Sequence, residues 1–237
     1  MKQPVALTGI RPSAGLTRYD AHAPLGKLIT LQKDHMCLLM IADYHALKTD
    51  GSVGQNIQNH VRRIVLNALA AGFDVDRGIC FLQSQVPQLS EFASILGNLV
   101  TVDQLKRPDE TGMETYGFLG HSLFQVADIL MFRPACISIG KNQKARMQLA
   151  RNLAANFNER FGGILRAPDP VYTERSAKDG GFISEEEYES RRSDLQRKKD
   201  LVRDILHLGC SEARIRRQRT LDTVKEAIGF DYGELLG

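Results

Sequence analysis

The sequence contains no tryptophan, and its few cysteines show none of the paired spacings that bind zinc. Three of the four cysteines lie within apolar runs, and no two of them form a Cys-x-x-Cys pair. Zinc modules and small disulfide-rich secreted domains usually show such pairs. We therefore expect reduced core cysteines, without a metal site, in a cytoplasmic protein; the four are Cys37, Cys80, Cys136 and Cys210.

Long hydrophobic runs and an excess of one charge are also missing. No apolar stretch reaches the ~18 residues that span a bilayer, and no cationic and apolar leader opens the chain. The 31 basic and 28 acidic residues leave a formal net charge of only +3. A balance this even does not identify a nucleic-acid binder. The distribution of the charges along the chain must decide whether it binds nucleic acid. We expect a soluble, cytoplasmic protein with no membrane partner.

The chain does contain alternating short apolar runs and longer amphipathic stretches. With 237 residues, 43% of them hydrophobic, it can bury a large core. This alternation predicts an α/β domain with a parallel sheet over residues 1–165. We expect strands at residues 4–10, 36–43, 78–84 and 135–140, and helices at 25–33, 53–71, 88–98, 117–131 and 141–160.

The character of the sequence changes after residue 165. Residues 166–184 are rich in proline, glycine and charge and show no sustained period, which predicts a linker loop. Ser184 followed by Glu187 has the spacing of a helix capping box. We expect a short helical C-terminal region over 185–237, with one helix ending near Gly209 and another over roughly 211–228.

Four blocks of sequence occur in a characteristic order and spacing. They are TGIRPS at 8–13, IADYHAL at 41–47, LQSQVPQLSEFASIL at 82–96, and FQVADIL at 124–130 followed by SIGKNQKARMQLARNLAANFN at 138–158. Together they resemble tryptophanyl-tRNA synthetases, a class I family with a Rossmann-like catalytic domain. The resemblance extends through about residue 165, and a weaker match returns at TLDTVKEAIGFDY, residues 220–232.

The resemblance implies an amino-acid pocket. Asp128 occupies the place of the family's aspartate that accepts the indole N–H of tryptophan, and Gln143 matches the glutamine that helps to hold the α-amino group. His45 matches a pocket histidine. A carboxylate on an apolar helix face is costly without a donor, so a ligand N–H is a sensible partner for Asp128. The alternative is a carboxylate satisfied by the protein's own groups.

Several pocket positions depart from the family pattern. His121 and Ser122 replace a common Tyr-Pro pair, and Gln125 stands where a methionine is common. These polar groups make the pocket more polar than one built for indole alone, because each needs a partner once buried. The ligand is then tryptophan or a related amino acid. Arg11 is assigned to the same pocket, where it would pair with a carboxylate, or else it closes a surface contact.

The nucleotide side departs further. Where the family has its HIGH-like turn, this chain has Thr17, Arg18, Tyr19 and Asp20. Tyr19 fills space that a glycine leaves for the nucleotide, and Asp20 places negative charge near the phosphates. A shifted register with His22 in the turn is the alternative.

Two further nucleotide contacts of the family have no match. Lys141 and Asn142 replace an acidic pair of the family, and the linker lacks the lysines of a KMSKS loop. We therefore assign no cofactor and do not expect ATP to be used in the ordinary way. The remnant of a nucleotide site comprises Thr17, Tyr19, Asp20, Lys141 and Asn142.

Three functions are compatible with this pattern. The first is a specialised, biosynthetic transfer of an amino acid instead of ordinary aminoacylation. Aminoacyl-tRNA is one donor that such a transfer could use. Cyclodipeptide synthases are a precedent for such a transfer, because they take aminoacyl-tRNA through a serine after the first strand. This chain has Ser13 at the corresponding place. The second is a non-catalytic amino-acid sensor, and the third is a working tryptophan–tRNA ligase with an altered ATP site. No catalytic residue is assigned.

Two kinds of macromolecular partner are also predicted. The stretch 191–219 is dense in arginine and lysine, which suits contact with tRNA phosphates, or else is the solvated face of helices. The family associates through a segment corresponding to about 85–125, which predicts a homodimer. The apolar residues expected to need cover there are Phe92, Ile95, Leu96, Leu99 and Phe118.

Overall fold

The computed structural model describes residues 3–12, 18–47, 56–106, 116–140, 143–173 and 183–236, with the backbone alone for 18–23. Ser13, Thr17, Lys141 and Asn142 lie outside the described residues. The side chains of Tyr19, Asp20, His22 and Phe118 do so as well.

The centre of the molecule is a parallel sheet of five strands in the order β3-β2-β1-β4-β5. The strands are β1 (Val5–Ile10), β2 (Met36–Ile41), β3 (Gly78–Leu82), β4 (Cys136–Gly140) and β5 (Asp169–Thr173). Near-continuous apolar runs form β1 and β2 because both faces of a parallel sheet are covered. The predicted α/β fold is therefore confirmed, and four of the strands lie where the sequence placed them.

The fifth strand was not expected. β5 lies inside the segment predicted as a linker loop, and it pairs with β4 from Asp169 opposite Cys136 to Thr173 opposite Gly140. It contains Pro170 and sits at the edge of the sheet, where a residue without an N–H is tolerated. The proline and charge that suggested a loop are compatible with an edge strand.

Helices cover both faces of this sheet. They are α1 (Arg18–Leu31), α2 (Ile57–Ala70), α3 (Gln88–Gly97), α4 (Val102–Leu105), α5 (Tyr116–Met131), α6 (Lys144–Phe161), α7 (Glu185–Arg197), α8 (Leu201–Ala227) and α9 (Gly233–Leu236). One core cluster joins the sheet to α3, α5, α6 and α8, and the other joins it to α1, α2 and α7. The C-terminal helices thus contribute to the main core.

Two helices are followed by a glycine with positive φ. Gly72 follows α2 with φ +101° and Gly162 follows α6 with φ +96°, a backbone region that favours glycine. Helix α1 begins at Arg18, earlier than the predicted residue 25. The first turn of α1 therefore includes positions 18–20, which the resemblance aligns with the HIGH-like turn of the family.

The break between the C-terminal helices was predicted at the wrong place. The chain interrupts its helix at residues 198–200, and Gly209 lies in the interior of α8. A Cβ at Gly209 would lie 1.9 Å from the carbonyl oxygen of Cys80, so glycine lets α8 approach strand β3 closely. The glycine that suggested a helix end is instead required for packing.

All four cysteines are free and buried, as expected. Burial is the first cause of a raised pKa at each of the thiols. Among the described residues, no helix combines the length and the apolar character needed to cross a membrane.

Candidate amino-acid site

The sheet order places a crevice beside β1. Strands β2 and β3 extend the sheet on one side of β1, whereas β4 and β5 extend it on the other. Ligands of such sheets bind at this switch in strand order, outside the carboxyl ends of the strands. Arg11 follows β1, and Gln143 stands at the start of α6 beyond β4, so these two sequence blocks meet the same edge.

A buried polar cluster lies at the same edge. His45 is in a short 3₁₀ turn after β2, Gln83 directly follows β3, and Asp128 projects from α5. Their exposed fractions are 5%, 0% and 3%. Asp43 ties the first two segments together, because its carboxylate accepts hydrogen bonds from the backbone N–H and the hydroxyl of Ser84.

Asp128 is the common acceptor of this cluster. His45 Nε2 lies 2.6 Å from Asp128 Oδ2, and since a carboxylate only accepts, the imidazole is the donor. Gln83 Nε2 donates to Oδ1 at 2.9 Å and to Oδ2 at 2.7 Å. The carboxylate therefore meets protein donors, which offsets the cost of burying it, as in the alternative that the sequence left open.

His121 extends the cluster by one more ring. Its Nδ1 lies 3.1 Å from Nδ1 of His45, and the two rings meet edge to face with centroids 4.5 Å apart. A neutral His45 that donates from Nε2 to Asp128 accepts at Nδ1, so His121 carries its proton on Nδ1 in that state. Asp128, His45 and His121 thus form a continuous hydrogen-bonded chain.

Aromatic rings border the cluster. Phe124 lies edge to face with His45, with centroids 6.0 Å apart, and with Tyr44 at 5.7 Å. Edge-to-face contacts of this kind fix ring orientation and add modestly to burial. The site therefore combines an acceptor group with apolar walls, as small-molecule sites commonly do.

Gln125 belongs to the same face of α5. His121, Gln125 and Asp128 follow at intervals of four and three residues, which puts them on one stripe of the helix. The Oε1 atom of Gln125 is buried and meets no hydrogen-bond donor among the described residues, and the same holds for Oε1 of Gln83. Two acceptors are left over in a site whose other groups are paired.

Two other predicted pocket residues, Gln143 and Arg11, make no hydrogen bond with the described residues of the cluster. Gln143 stands at the N-terminus of α6, and its side-chain oxygen accepts a hydrogen bond from Arg146. Arg11 is half-buried after β1, and burial lowers the pKa of its guanidinium. The structure therefore brings His45, His121 and Asp128 into contact and places Gln125 on the same face of α5, whereas the assignment of Gln125, Gln143 and Arg11 to the pocket stays a prediction.

Sequence reasoning missed Gln83. It lies in the block at 82–96 that helped to reveal the resemblance, but no role was assigned to it. The available signal was its place at the carboxyl end of a buried strand, adjacent to the strand that leads to His45. Its contact with both oxygens of Asp128 could not be read from the sequence, because 45 residues separate the two.

Comparison with known proteins agrees with the fold and with the sequence blocks. The family model of class I tRNA synthetases (W and Y) matches residues 1–181. A tryptophan–tRNA ligase of Treponema pallidum is 36% identical over 173 residues, covering 68% of this chain and 51% of the relative. One from Ralstonia nicotianae is 34% identical over 166 residues, covering 66% and 42%. The chain thus spans about half the length of the curated relatives it matches.

Solved structures share the architecture at low sequence identity. Tryptophanyl-tRNA synthetase from Campylobacter jejuni, complexed with ADP and tryptophan, has a TM-score of 0.81 at 18% identity, covering 95% of this chain and 99% of that one. The enzyme from Mycoplasma pneumoniae has a TM-score of 0.81 at 17% identity, covering 98% and 99%. Since the family model matches most of the chain, this protein belongs to the class I tRNA synthetase family of the tryptophan and tyrosine enzymes.

Proposed function

We propose that this chain binds tryptophan or a related aromatic amino acid at the Asp128 cluster and serves a specialised amino-acid transfer instead of ordinary aminoacylation. The observation that carries the amino-acid part is the buried carboxylate of Asp128, held by Gln83 and His45 at the carboxyl edge of the sheet. Such an acceptor suits a ring N–H of the ligand.

Hydrogen-bond capacity supports this role for Asp128. A carboxylate offers about four lone-pair sites, and the described protein donors use three contacts, two from Gln83 and one from His45. One acceptor direction remains for a ligand. The protein donors also orient the carboxylate before the ligand arrives, which reduces the ordering cost of binding.

Sequence changes at the nucleotide side support little use of ATP. Tyr19 and Asp20 belong to the first turn of α1, where a helix N-terminus would otherwise favour phosphate. Lys141 and Asn142 follow β4 in place of an acidic pair. Because each oriented group that stabilises transition-state charge is worth about 10²–10³ in rate, several changes together predict little adenylate formation.

The same proposal includes a role for tRNA, but the basic stretch at residues 191–219 gives it only weak support. Many of its arginines are engaged within the protein: Arg191 with Glu187, Arg197 with Asp194, Arg203 with Asp200 and Asp204, Arg216 with Glu212, and Arg217 in the core. Paired and buried cations offer less to phosphate groups. Contact with tRNA would then depend on exposed cations such as Lys198 and Lys199.

Calorimetry with tryptophan tests the binding step. We expect binding by the parent, a loss of ~10-fold or more in Asp128→Ala since a charged hydrogen-bond partner is removed, and parent-like binding in Asp194→Ala. Asp194 is an exposed aspartate of α7 and serves as the matched control. Equal binding by Asp128→Ala and the parent would refute the site.

Isotope exchange between pyrophosphate and ATP, with and without tryptophan, tests the activation step. We expect no amino-acid-dependent exchange. Rapid exchange would instead show that the chain forms an aminoacyl adenylate, which is the first half of the tryptophan–tRNA ligase reaction. A further assay follows the loss of added tryptophanyl-tRNA. If tryptophan binds but the chain consumes no tryptophanyl-tRNA, the chain is a sensor of the amino acid.

A further inference from the structure

We infer that the ligand of the Asp128 cluster carries a second hydrogen-bond donor on its aromatic side chain, as in a ring-hydroxylated tryptophan. This inference rests on the proposed function, because it narrows the class of amino acid bound at that site. Its starting point is a surplus of acceptors over donors among the described residues that form the cluster.

The first surplus acceptor is the amide oxygen of Gln83. The amide nitrogen faces both oxygens of Asp128 and also lies 3.0 Å from Nε2 of His45. We infer this orientation from the carboxylate, because a reversed amide would put an oxygen against it. The oxygen therefore lies beside the carboxylate, fully buried and without a donor among the described residues. The end of the site near Asp128 thus presents carboxylate and amide oxygens together.

The second surplus acceptor lies one helical turn away. Gln125 stands on the stripe of α5 between His121 and Asp128, the two residues that contact His45 on either side. Its Oε1 atom is buried and meets no donor in the described part of the chain, and a hydroxyl, which both donates and accepts, pairs with this amide in either orientation. A buried acceptor left without a partner is costly, so a site of this kind favours a ligand that brings the missing donor.

One ring N–H does not serve both ends of this stripe. An indole N–H bound at Asp128 and Gln83 leaves Gln125 without a partner, and Gln125 is separated from Asp128 by about 4.5 Å along the helix axis at ~1.5 Å per residue. A substituted indole spans that distance within one ring system. A hydroxyl on the benzene half of the ring donates to Gln125 while the ring N–H serves Asp128.

The experiment compares matched amino acids. Calorimetry is carried out with tryptophan, with hydroxytryptophans bearing the hydroxyl at each position of the benzene half, and with the corresponding fluorotryptophans. Fluorine is similar in size to a hydroxyl but donates no hydrogen bond. We expect one hydroxytryptophan to bind ~10-fold or more tightly than both tryptophan and its fluoro counterpart, because sites built to hydrogen-bond a hydroxyl discriminate strongly against analogues without it.

Two variants locate the effect. Gln125→Met removes the acceptor at similar length, and we expect it to reduce the preference for the hydroxyl to within about 3-fold, less than the usual worth of one hydrogen bond. Gln148→Met is the matched control, because Gln148 is exposed on α6 and its amide contacts Asn152. This control keeps the full preference.

The outcomes separate the inference from the proposed function. If tryptophan binds as tightly as every hydroxytryptophan, the inference is wrong and the amino-acid site stands. If hydroxytryptophan and fluorotryptophan bind alike, the pocket responds to size and the inference is also wrong. If none of these amino acids binds, both the inference and the proposed function fail.

Discussion

The guanidinium of Arg217 donates a hydrogen bond to the backbone carbonyl of Met131 at 2.5 Å and lies 4.4 Å from the ring centroid of Phe132. Met131 is the last residue of α5, so this contact joins the C-terminal helix α8 to the helix that carries Asp128. Only 7% of Arg217 is exposed. Burial, followed by the neighbouring charges of Arg216 and Arg133, lowers its pKa to about 10.

Replacing Arg217 should therefore lower the free energy of unfolding. In Arg217→Ala we expect a loss of about 2–4 kcal/mol, because a buried carbonyl loses its donor and the stem loses its packing. Arg217→Met keeps most of the packing and should lose less. Urea unfolding measures both, with the exposed Arg219→Met as control; equal stability of Arg217→Ala and Arg219→Met would contradict the role of the contact.

Gly209 offers a test of the packing between α8 and β3. Gly209→Ala places a methyl group where the carbonyl of Cys80 stands, so α8 must move away from the strand. Alanine usually stabilises a helix interior by roughly 0.5–1 kcal/mol relative to glycine, but here we expect a net loss of about 2 kcal/mol or more. Thermal unfolding should show a lower melting temperature, and a higher one would refute the close approach.

The buried thiols predict a loss of stability in alkaline solution. Burial and the neighbouring Cys136 thiol raise the pKa of Cys37 from 9.0 to about 12. Above pH ~9 the unfolded chain releases this proton whereas the folded chain retains it, so the unfolding free energy falls as the pH rises toward the folded pKa. Below the unfolded pKa, this contribution is fully present.

Cys37→Ala should flatten that pH dependence. Urea unfolding at about pH 8 and about pH 10 measures the slope, and we expect the parent to lose up to about 1.4 kcal/mol more per pH unit than the variant. The comparison of slopes is independent of the stability that the variant loses through packing. Parallel slopes would show that Cys37 is as accessible to ionisation in the folded chain as in the unfolded one.

Self-association is a separate prediction, and the structure changes the residues that would carry it. Phe92 and Leu96 are buried within one chain, so they do not need a partner to cover them. Ile95 and Leu99 are half-buried. Among the described residues near this segment, Val102 and Tyr116 have 55% and 89% of their surface exposed. We expect a dimer by light scattering at micromolar concentration.

Charged substitutions test whether that segment forms the dimer. Val102→Asp and Tyr116→Asp should each shift the chain toward a monomer, because a carboxylate would be desolvated in an apolar contact. Leu208→Asp, at an exposed position on α8, should leave the dimer intact. A parent protein that is already a monomer would end this prediction.

The sequence predicts the sheet well because apolar strand runs and helical periods are local patterns. The resemblance, and not a local pattern, assigns His121, Gln125 and Asp128 to the pocket, and the structure places all three on one stripe of α5. The sequence could not show that Gln83 and His45 meet at Asp128, because those contacts depend on strand order and on side-chain packing between distant segments. Gly209 was misinterpreted as a helix end because glycine usually interrupts helices, but here it allows close packing. Pro170 was misinterpreted as part of a loop, but it lies in an edge strand.

The pair of His45 and Asp128 should show strong energetic coupling. In His45→Ala and Asp128→Ala, each substitution leaves a buried polar partner without its hydrogen bond, so both should lower the unfolding free energy. The double variant removes both groups and should lose less than the sum. We expect a coupling energy of about 1–3 kcal/mol from the four-protein cycle. The exposed pair of Glu187 and Arg191 is the matched control, for which we expect about 0.5 kcal/mol or less. If both cycles give the same small value, the cluster does not act as a unit, and Asp128 is not held in place for a ligand by His45.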